Sequence, residues 1–227
     1  MKTATTILMA LIFAGCAAAP SQPNAPAASA NPAETARAEQ SEPPVKAGAA
    51  SSGPTIEKPP TFKKGYKLTF RSRTSDFDCT FEGEEDGLLV FHFATKEKLP
   101  YDYLYTPDMK IAQIHNAQMQ MRFDPPIGFV DFPLFVGKKW MVAYKGTSNS
   151  SHSMGETAVE VVGFGPVKVP YGTVDAFEIR VRNTDREIGR ANPYETFWYS
   201  PEIGYYVKHA TNRPVYEDPF ELISYTK

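Results

Sequence analysis

The 227-residue sequence predicts a mainly β domain, a strongly curved antiparallel sheet, carried on a disordered N-terminal tether. Three observations lead there. Apolar and polar residues alternate with period two along most of the chain after Pro59. The composition changes abruptly at that point. Beyond it no segment sets apolar residues at helical spacing.

The strands follow in order. Tyr66, Leu68 and Phe70 alternate with Lys67, Thr69 and Arg71, and Phe77, Cys79 and Phe81 alternate with Asp78, Thr80 and Glu82. "EGEEDG" is a polar turn, after which "LLVFHFA" returns. "YDYLY", "MKIAQIH" and "MQMRF" come next, the last ending at Pro125-Pro126. A helix over Thr106 to Asn116 is the one competing assignment, and Pro107 and the β-branched spacing favour strand. Trp140, Val142 and Tyr144 alternate, then Thr157, Val159 and Val161, then Phe177, Ile179 and Val181. "TFWYS", "YYVKHA" and "FELISY" close the chain, with "PYGT" and "SPEIG" as turns. Each strand offers one apolar face. The buried face is expected to carry Phe77, Cys79, Phe81, Trp140, Val142, Phe177, Ile179 and Trp198, because a slip of one residue would expose the whole set.

The N-terminus has a different logic. The apolar run from Ile7 to Ala14 is too short to span a bilayer, which takes about 20 residues. Lys2 precedes it and small residues follow, the layout of an export signal over residues 1–15. Phe13-Ala14-Gly15-Cys16 resembles the bacterial lipobox, with Phe13 in place of the usual leucine. The resemblance implies that Cys16 is the lipidation site, carrying a diacylglyceryl group and an N-acyl chain. Two or more chains anchor stably where one does not. Ala17 rather than aspartate after the cysteine implies sorting to the outer membrane, with the domain facing the periplasm. The alternative is ordinary cleavage to a soluble periplasmic protein.

Residues 16–58 are expected to form an Ala/Pro-rich linker. Beyond Cys16 this stretch has no aromatic residue, and Val45 and Ile56 are its only large aliphatics, so it cannot bury enough surface to offset its chain entropy. Residues 59–227 form the domain. The net charge is −2 with basic and acidic residues interleaved, which excludes the basic stripe of a nucleic-acid binder.

Chemistry-bearing motifs are sparse. His92, His115, His152 and His209 lie far apart, and no metal or other cofactor is implied. "DFDCTFEGEEDG" lacks the ordered spacing of a calcium loop and reads as a solvated hairpin. Cys79 shares its face with Phe77 and Phe81, which suits a buried thiol better than a nucleophile. "SNSSHSMGE" reads as a connector, and there is no G-x-S-x-G elbow, so no catalytic residue is expected. What stands out is ring density. Tyr101, Tyr103 and Tyr105 share one strand face, and Trp198 and Tyr199 sit in "FWYSPEIGYY". With Trp140, these rings either fill the core or line a concave site for an apolar or glycan ligand.

"FPLFVGKKW" (132–140), "VKVPYGTVDAFEIRV" (167–181) and "FWYSPEIGYYVK" (197–208) together resemble a family of bacterial envelope lipoproteins of unknown function. The resemblance covers residues 130–227 and implies a half-barrel similar to the lipoprotein-carrier fold, with no catalytic residues to transfer. Three functions follow as expectations. The first is a non-catalytic binding module for a lipid-like or other hydrophobic ligand. The second is a structural lipoprotein contacting another envelope protein. The third, and weakest, is an envelope hydrolase. The first requires a hollow concave face and the second a filled one.

Overall fold

The computed structural model describes residues 53–96, 99–149, 151–185, 190–191, 194–211 and 218–227. Cys16 and all of the chain before Gly53 lie outside the described residues. Thirteen strands follow one another: β1 (Lys67–Ser72), β2 (Asp76–Glu85), β3 (Leu88–Thr95), β4 (Tyr101–Tyr105), β5 (Ile111–His115), β6 (Gln120–Ile127), β7 (Lys139–Ser148), β8 (His152–Val169), β9 (Gly172–Asp185), β10 (Arg190–Ala191), β11 (Glu195–Ser200), β12 (Tyr205–Thr211) and β13 (Phe220–Thr226). The stretch weighed as a helix is the end of a turn followed by β5.

All pairing is antiparallel, as the alternation predicts. The expected strongly curved sheet forms, and its curvature continues past a half-barrel into a ring. From β9 the order runs β11, β12, β13, β1 and then in sequence to β8, which pairs back onto β9. The small β10 sits beside the end of β9. Closing the ring removes most free strand edges. The β2–β3 hairpin shows how local chemistry sets register. Asp86 and Gly87 both take positive φ, 51° and 76°, as a two-residue hairpin turn requires. That turn pairs Glu85 with Leu88 through Gly83 with Val90, and a bulge between Gly83 and Phe81 then shifts the register by one, which brings Phe81 opposite Phe91 and Cys79 opposite Phe93.

The wall faces two ways. Inward lie Leu68, Phe70, Cys79, Phe81, Phe91, Tyr105, Phe177, Ile179, Val181 and Tyr199, all buried. Each large apolar side chain taken from water contributes about 1.5–3 kcal/mol. Outward lie Lys67 against Asp78 at 2.8 Å, Lys139 against Glu160 at 2.8 Å, and Lys208 against Glu221 at 2.6 Å. A membrane-spanning barrel has the reverse polarity, an apolar outer band around a polar lumen. This barrel is built to stand in water.

The resembling motifs have structural work at one end of the ring. Leu134 of "FPLFVG" is fully buried and exchanges backbone hydrogen bonds with Ile56, each 2.9 Å. The Tyr66 phenol donates to the Ile203 carbonyl in "SPEIG" at 2.7 Å. A Cβ on Gly204 would press to 2.9 Å from the Pro60 ring. "PYGT" forms the tip of the long β8–β9 hairpin, where the Tyr171 N–H donates to the Leu222 carbonyl of β13 at 3.0 Å. Packing on the barrel therefore starts before Pro59, within the segment that the composition assigns to the linker.

Candidate functional site

The aromatic residues singled out from the sequence divide between three environments. Tyr103 and Tyr105 are buried on the inner face of β4, and Tyr101 is half-buried beside them. Their rings touch one another and their neighbours: Tyr101 stacks on Phe93 at 5.0 Å, Tyr103 meets Phe93 at 5.1 Å, and Tyr105 meets Phe91 at 5.4 Å. The Tyr105 and Tyr205 hydroxyls hydrogen-bond at 2.9 Å. Tyr199 is also buried, against Tyr206 at 5.9 Å and Phe132 at 6.3 Å. Burial pushes the Tyr105, Tyr199, Tyr205 and Tyr206 phenols well above the ordinary range. These rings pack the concave side of the sheet against itself.

Trp198 corrects one expectation. Phe197 and Tyr199 point inward, so alternation sends Trp198 to the outer face. There it stands opposite Glu178 on β9 and Lys208 on β12, with the Lys208 ammonium 5.5 Å from its ring. The difference is one of phase. "FWY" is apolar throughout, and the choice of inner residue depends on register that three rings in a row do not reveal. Trp140 does face inward, yet it is only half-buried, and its indole N–H donates to the Gly128 carbonyl at 3.2 Å.

Two polar groupings escaped the sequence reading. The first crosses four strands on the inner face. Thr157 donates to the Asn183 amide oxygen at 2.7 Å, the Asn183 amide donates to Glu195 at 3.3 Å, and Glu195 lies 3.2 Å from His209 Nε2. All four are buried, and the His209 ring stacks on Phe197 at 4.4 Å. Thr157 was legible as the partner in phase with Val159 and Val161; the others required the barrel to bring β8, β9, β11 and β12 side by side. A buried polar group costs stability unless it is bonded, and these four bond one another. The second grouping lies outside. Asp102 on β4 accepts from His92 Nδ1 at 2.6 Å and from His115 Nε2 at 2.9 Å, bridging β3 and β5. Among the described residues no group of three His, Cys, Asp or Glu side chains converges to hold a metal ion. Cys79 is fully buried, and burial first of all pushes its thiol far above the ordinary range, which keeps it neutral and unreactive. His152 is exposed at the start of β8, as a connector residue would be.

A concavity of about 320 Å³ lies on the outer wall over β7, β8 and β9, lined by Lys139, Met141, Ala158, Glu160, Arg180 and Tyr194. Met141 is 62% exposed and Tyr194 50%, with the Arg182 guanidinium 5.5 Å from the Tyr194 ring. Exposed Met, Tyr and Arg together are the residues that enrich protein interfaces. The signal for this face was in the sequence: "WMVAY" is apolar on both alternating sets, whereas neighbouring strands are polar on one.

No protein-family model matches the chain, and no curated protein matches it by sequence. Two solved structures are similar in shape. One is the hypothetical lipoprotein YmcC from Escherichia coli (K12), with a TM-score of 0.45 at 10% identity, covering 74% of this chain and 90% of that one. The other is a candidate lipoprotein from Parabacteroides distasonis ATCC 8503, with a TM-score of 0.39 at 12% identity, covering 76% of this chain and 99% of that one. Neither likeness is strong enough to give this chain a family or an activity.

Proposed function

We propose that this chain is an envelope lipoprotein, anchored through Cys16 in the outer membrane with its domain in the periplasm. Its barrel is a non-catalytic module that works by contacting another envelope protein at its outer wall. The observation that carries this choice over a hydrophobic-ligand carrier is the interior. Tyr205 of β12 reaches across the ring to the Phe91 ring of β3 at 5.3 Å and to the Tyr105 hydroxyl of β4 at 2.9 Å, so side chains from opposite walls meet where an acyl chain would lie. The outer wall, by contrast, exposes Met141 and Tyr194 beside arginines. The anchor rests on the short apolar run ending at Cys16.

Two measurements test the reading. Cys16→Ser should leave unprocessed or soluble protein and remove it from the outer-membrane fraction; unchanged fractionation sinks the anchor. Native mass spectrometry of the chain from residue 53 onward should return the polypeptide mass alone. A bound lipid would restore the carrier reading.

A further inference from the structure

The ring has a gap in its pairing at β7. Two hydrogen bonds fix which way the β7 backbone faces: Val161 N–H to the Lys138 carbonyl at 2.9 Å, and Ser148 N–H to the Ser151 carbonyl at 2.8 Å. In an antiparallel ladder, bonded positions recur every second residue. Trp140, Val142 and Tyr144 therefore bond to β8, while Lys139, Met141 and Ala143 turn their N–H and C=O groups away, toward β6. The β6–β7 ladder, however, covers only Met121–Asp124 against Lys145–Ser148. Beyond Asp124 come Pro125 and Pro126, which have no N–H to offer, and β6 ends by pairing Ile127 with Ile111. Among the described residues no strand faces Lys139, Met141 and Ala143.

Side-chain burial marks the same gap. Trp140 and Val142 point inward yet are only half-buried, unlike Tyr144, which lies where the ladder resumes. Another thin seam, between β12 and β13, has only two register pairs, but the Tyr171 tip of the β8–β9 hairpin bonds across to β13 there. Exposed edges are normally blunted by charge, proline or a covering segment. This one carries the exposed Met141 and Ala143, with Lys139 at one end.

We propose that the β7 edge from Lys139 to Ala143 is a docking site for an extended strand of a partner protein, added beside β7 by main-chain hydrogen bonds. This deepens the reading that the domain acts through contacts at its outer wall, and rests on it. The gap states what the strand must be. Its inward side chains are apolar, to cover Trp140 and Val142. Its outward ones are apolar opposite Met141, while Lys139 at the end of the gap is already held by Glu160 at 2.8 Å. The chain's own residues 17–52 do not fit: they are mostly Ala, Pro, Ser, Glu and Gln, and Val45 is their one large aliphatic, too few apolar side chains to cover both Trp140 and Val142.

Amide hydrogen exchange on the unmodified chain tests the edge itself. The amides of Met141 and Ala143 should exchange on the order of 100-fold faster than those of Val142 and Tyr144. Exchange as slow as Val142 would mean that the chain already covers this edge, and would overturn the proposal. The partner is tested in intact cells with a photo-reactive benzophenone side chain in place of Ala143, alone and combined with Met141→Pro. Proline removes the outward N–H and leaves the β8 bonds of Trp140 and Val142 in place. The expected result is a cross-linked species whose yield falls about tenfold or more in the proline variant. A yield that survives Met141→Pro, or an adduct with the mass of two copies of this chain, overturns the proposal. Adducts from a benzophenone at Trp198 but none at Ala143 would overturn the edge and spare the outer-wall reading. No adduct from either position, with lipid bound to the purified chain, would remove both.

Discussion

Tyr199 and its neighbour Trp198 show how much one residue of phase decides. Tyr199 is 1% exposed, and its phenol lies far from water. Truncating it opens a cavity among Phe132, Tyr206 and the core around them, and Tyr199→Ala should cost about 3–5 kcal/mol. Trp198 is larger but faces out. Its removal gives up a cation–π contact with Lys208 and part of an apolar surface, so Trp198→Ala should cost about 1–2 kcal/mol. Denaturant unfolding of the two variants compares them directly. If Trp198→Ala is the more damaging of the pair, the tryptophan is a core residue and its outward placement is wrong.

At the scale of elements, two fasteners hold the irregular connection between β6 and β7. One is the lead-in strand. Ile56 bonds twice to Leu134, and a Cβ on Gly53 would come within 2.6 Å of Phe164, so the backbone there lies flat on the barrel. A chain starting at residue 53 should melt like the full chain. One starting at residue 59 loses both hydrogen bonds and the Ile56 contact, about 2–3 kcal/mol. That lowers the melting midpoint by roughly 4–10 °C. Equal midpoints would show that the lead-in is dispensable. The other fastener is ionic. Asp131 accepts from Lys138 at 2.6 Å and from Lys110 at 3.3 Å, and Lys138 also donates to the Asp131 and Pro133 carbonyls. Burial alone would raise the Asp131 carboxyl, but its bonds to the two lysines outweigh burial and hold it below the ordinary range. A depressed carboxyl contributes stability above the unfolded value, about 3.9, and loses it as pH falls through the folded one. Asp131→Asn should therefore be less stable than the parent at neutral pH, with the gap closing in strong acid. A gap unchanged between neutral and strongly acid pH would show that the effect is not electrostatic.

Across the whole molecule, the legible parts are those that a period of two can express. Phe77, Cys79, Phe81, Phe177 and Ile179 face inward as alternation requires, and Asp86-Gly87 turns where turn chemistry places a turn. What alternation cannot express is distance along the chain. The pairing of β1 with β13, from opposite ends of the domain, is not local, and neither is the assembly of Thr157, Asn183, Glu195 and His209. The β7 edge falls between these cases. Pro125-Pro126 and the two-sided apolar run in "WMVAY" are visible in the sequence, but their meaning depends on which strand should have been the neighbour.

The packed tyrosines give the barrel as a whole a limit at high pH. Tyr66, Tyr105, Tyr199, Tyr205 and Tyr206 are all buried, and in each the first cause raising the phenol is loss of water. Within the hydrogen-bonded pair the effects are unequal: Tyr105 raises Tyr205 further, whereas the bond from Tyr205 lowers Tyr105 and only partly offsets its burial and the neighbouring Tyr206. The folded state therefore keeps these protons at a pH where the unfolded chain releases them. When the folded state binds more protons, stability falls as pH rises. The contribution is complete below the unfolded value, about 10, and drains away above it. Alkaline titration followed by phenolate absorbance and circular dichroism should show these five rings ionising together with the loss of β signal, in one cooperative step. Phenolate signal from these rings in a barrel that still shows its full β spectrum would mean that water reaches the concave face. The interior would then be open enough to admit a ligand, and the choice between a filled module and a carrier would turn the other way.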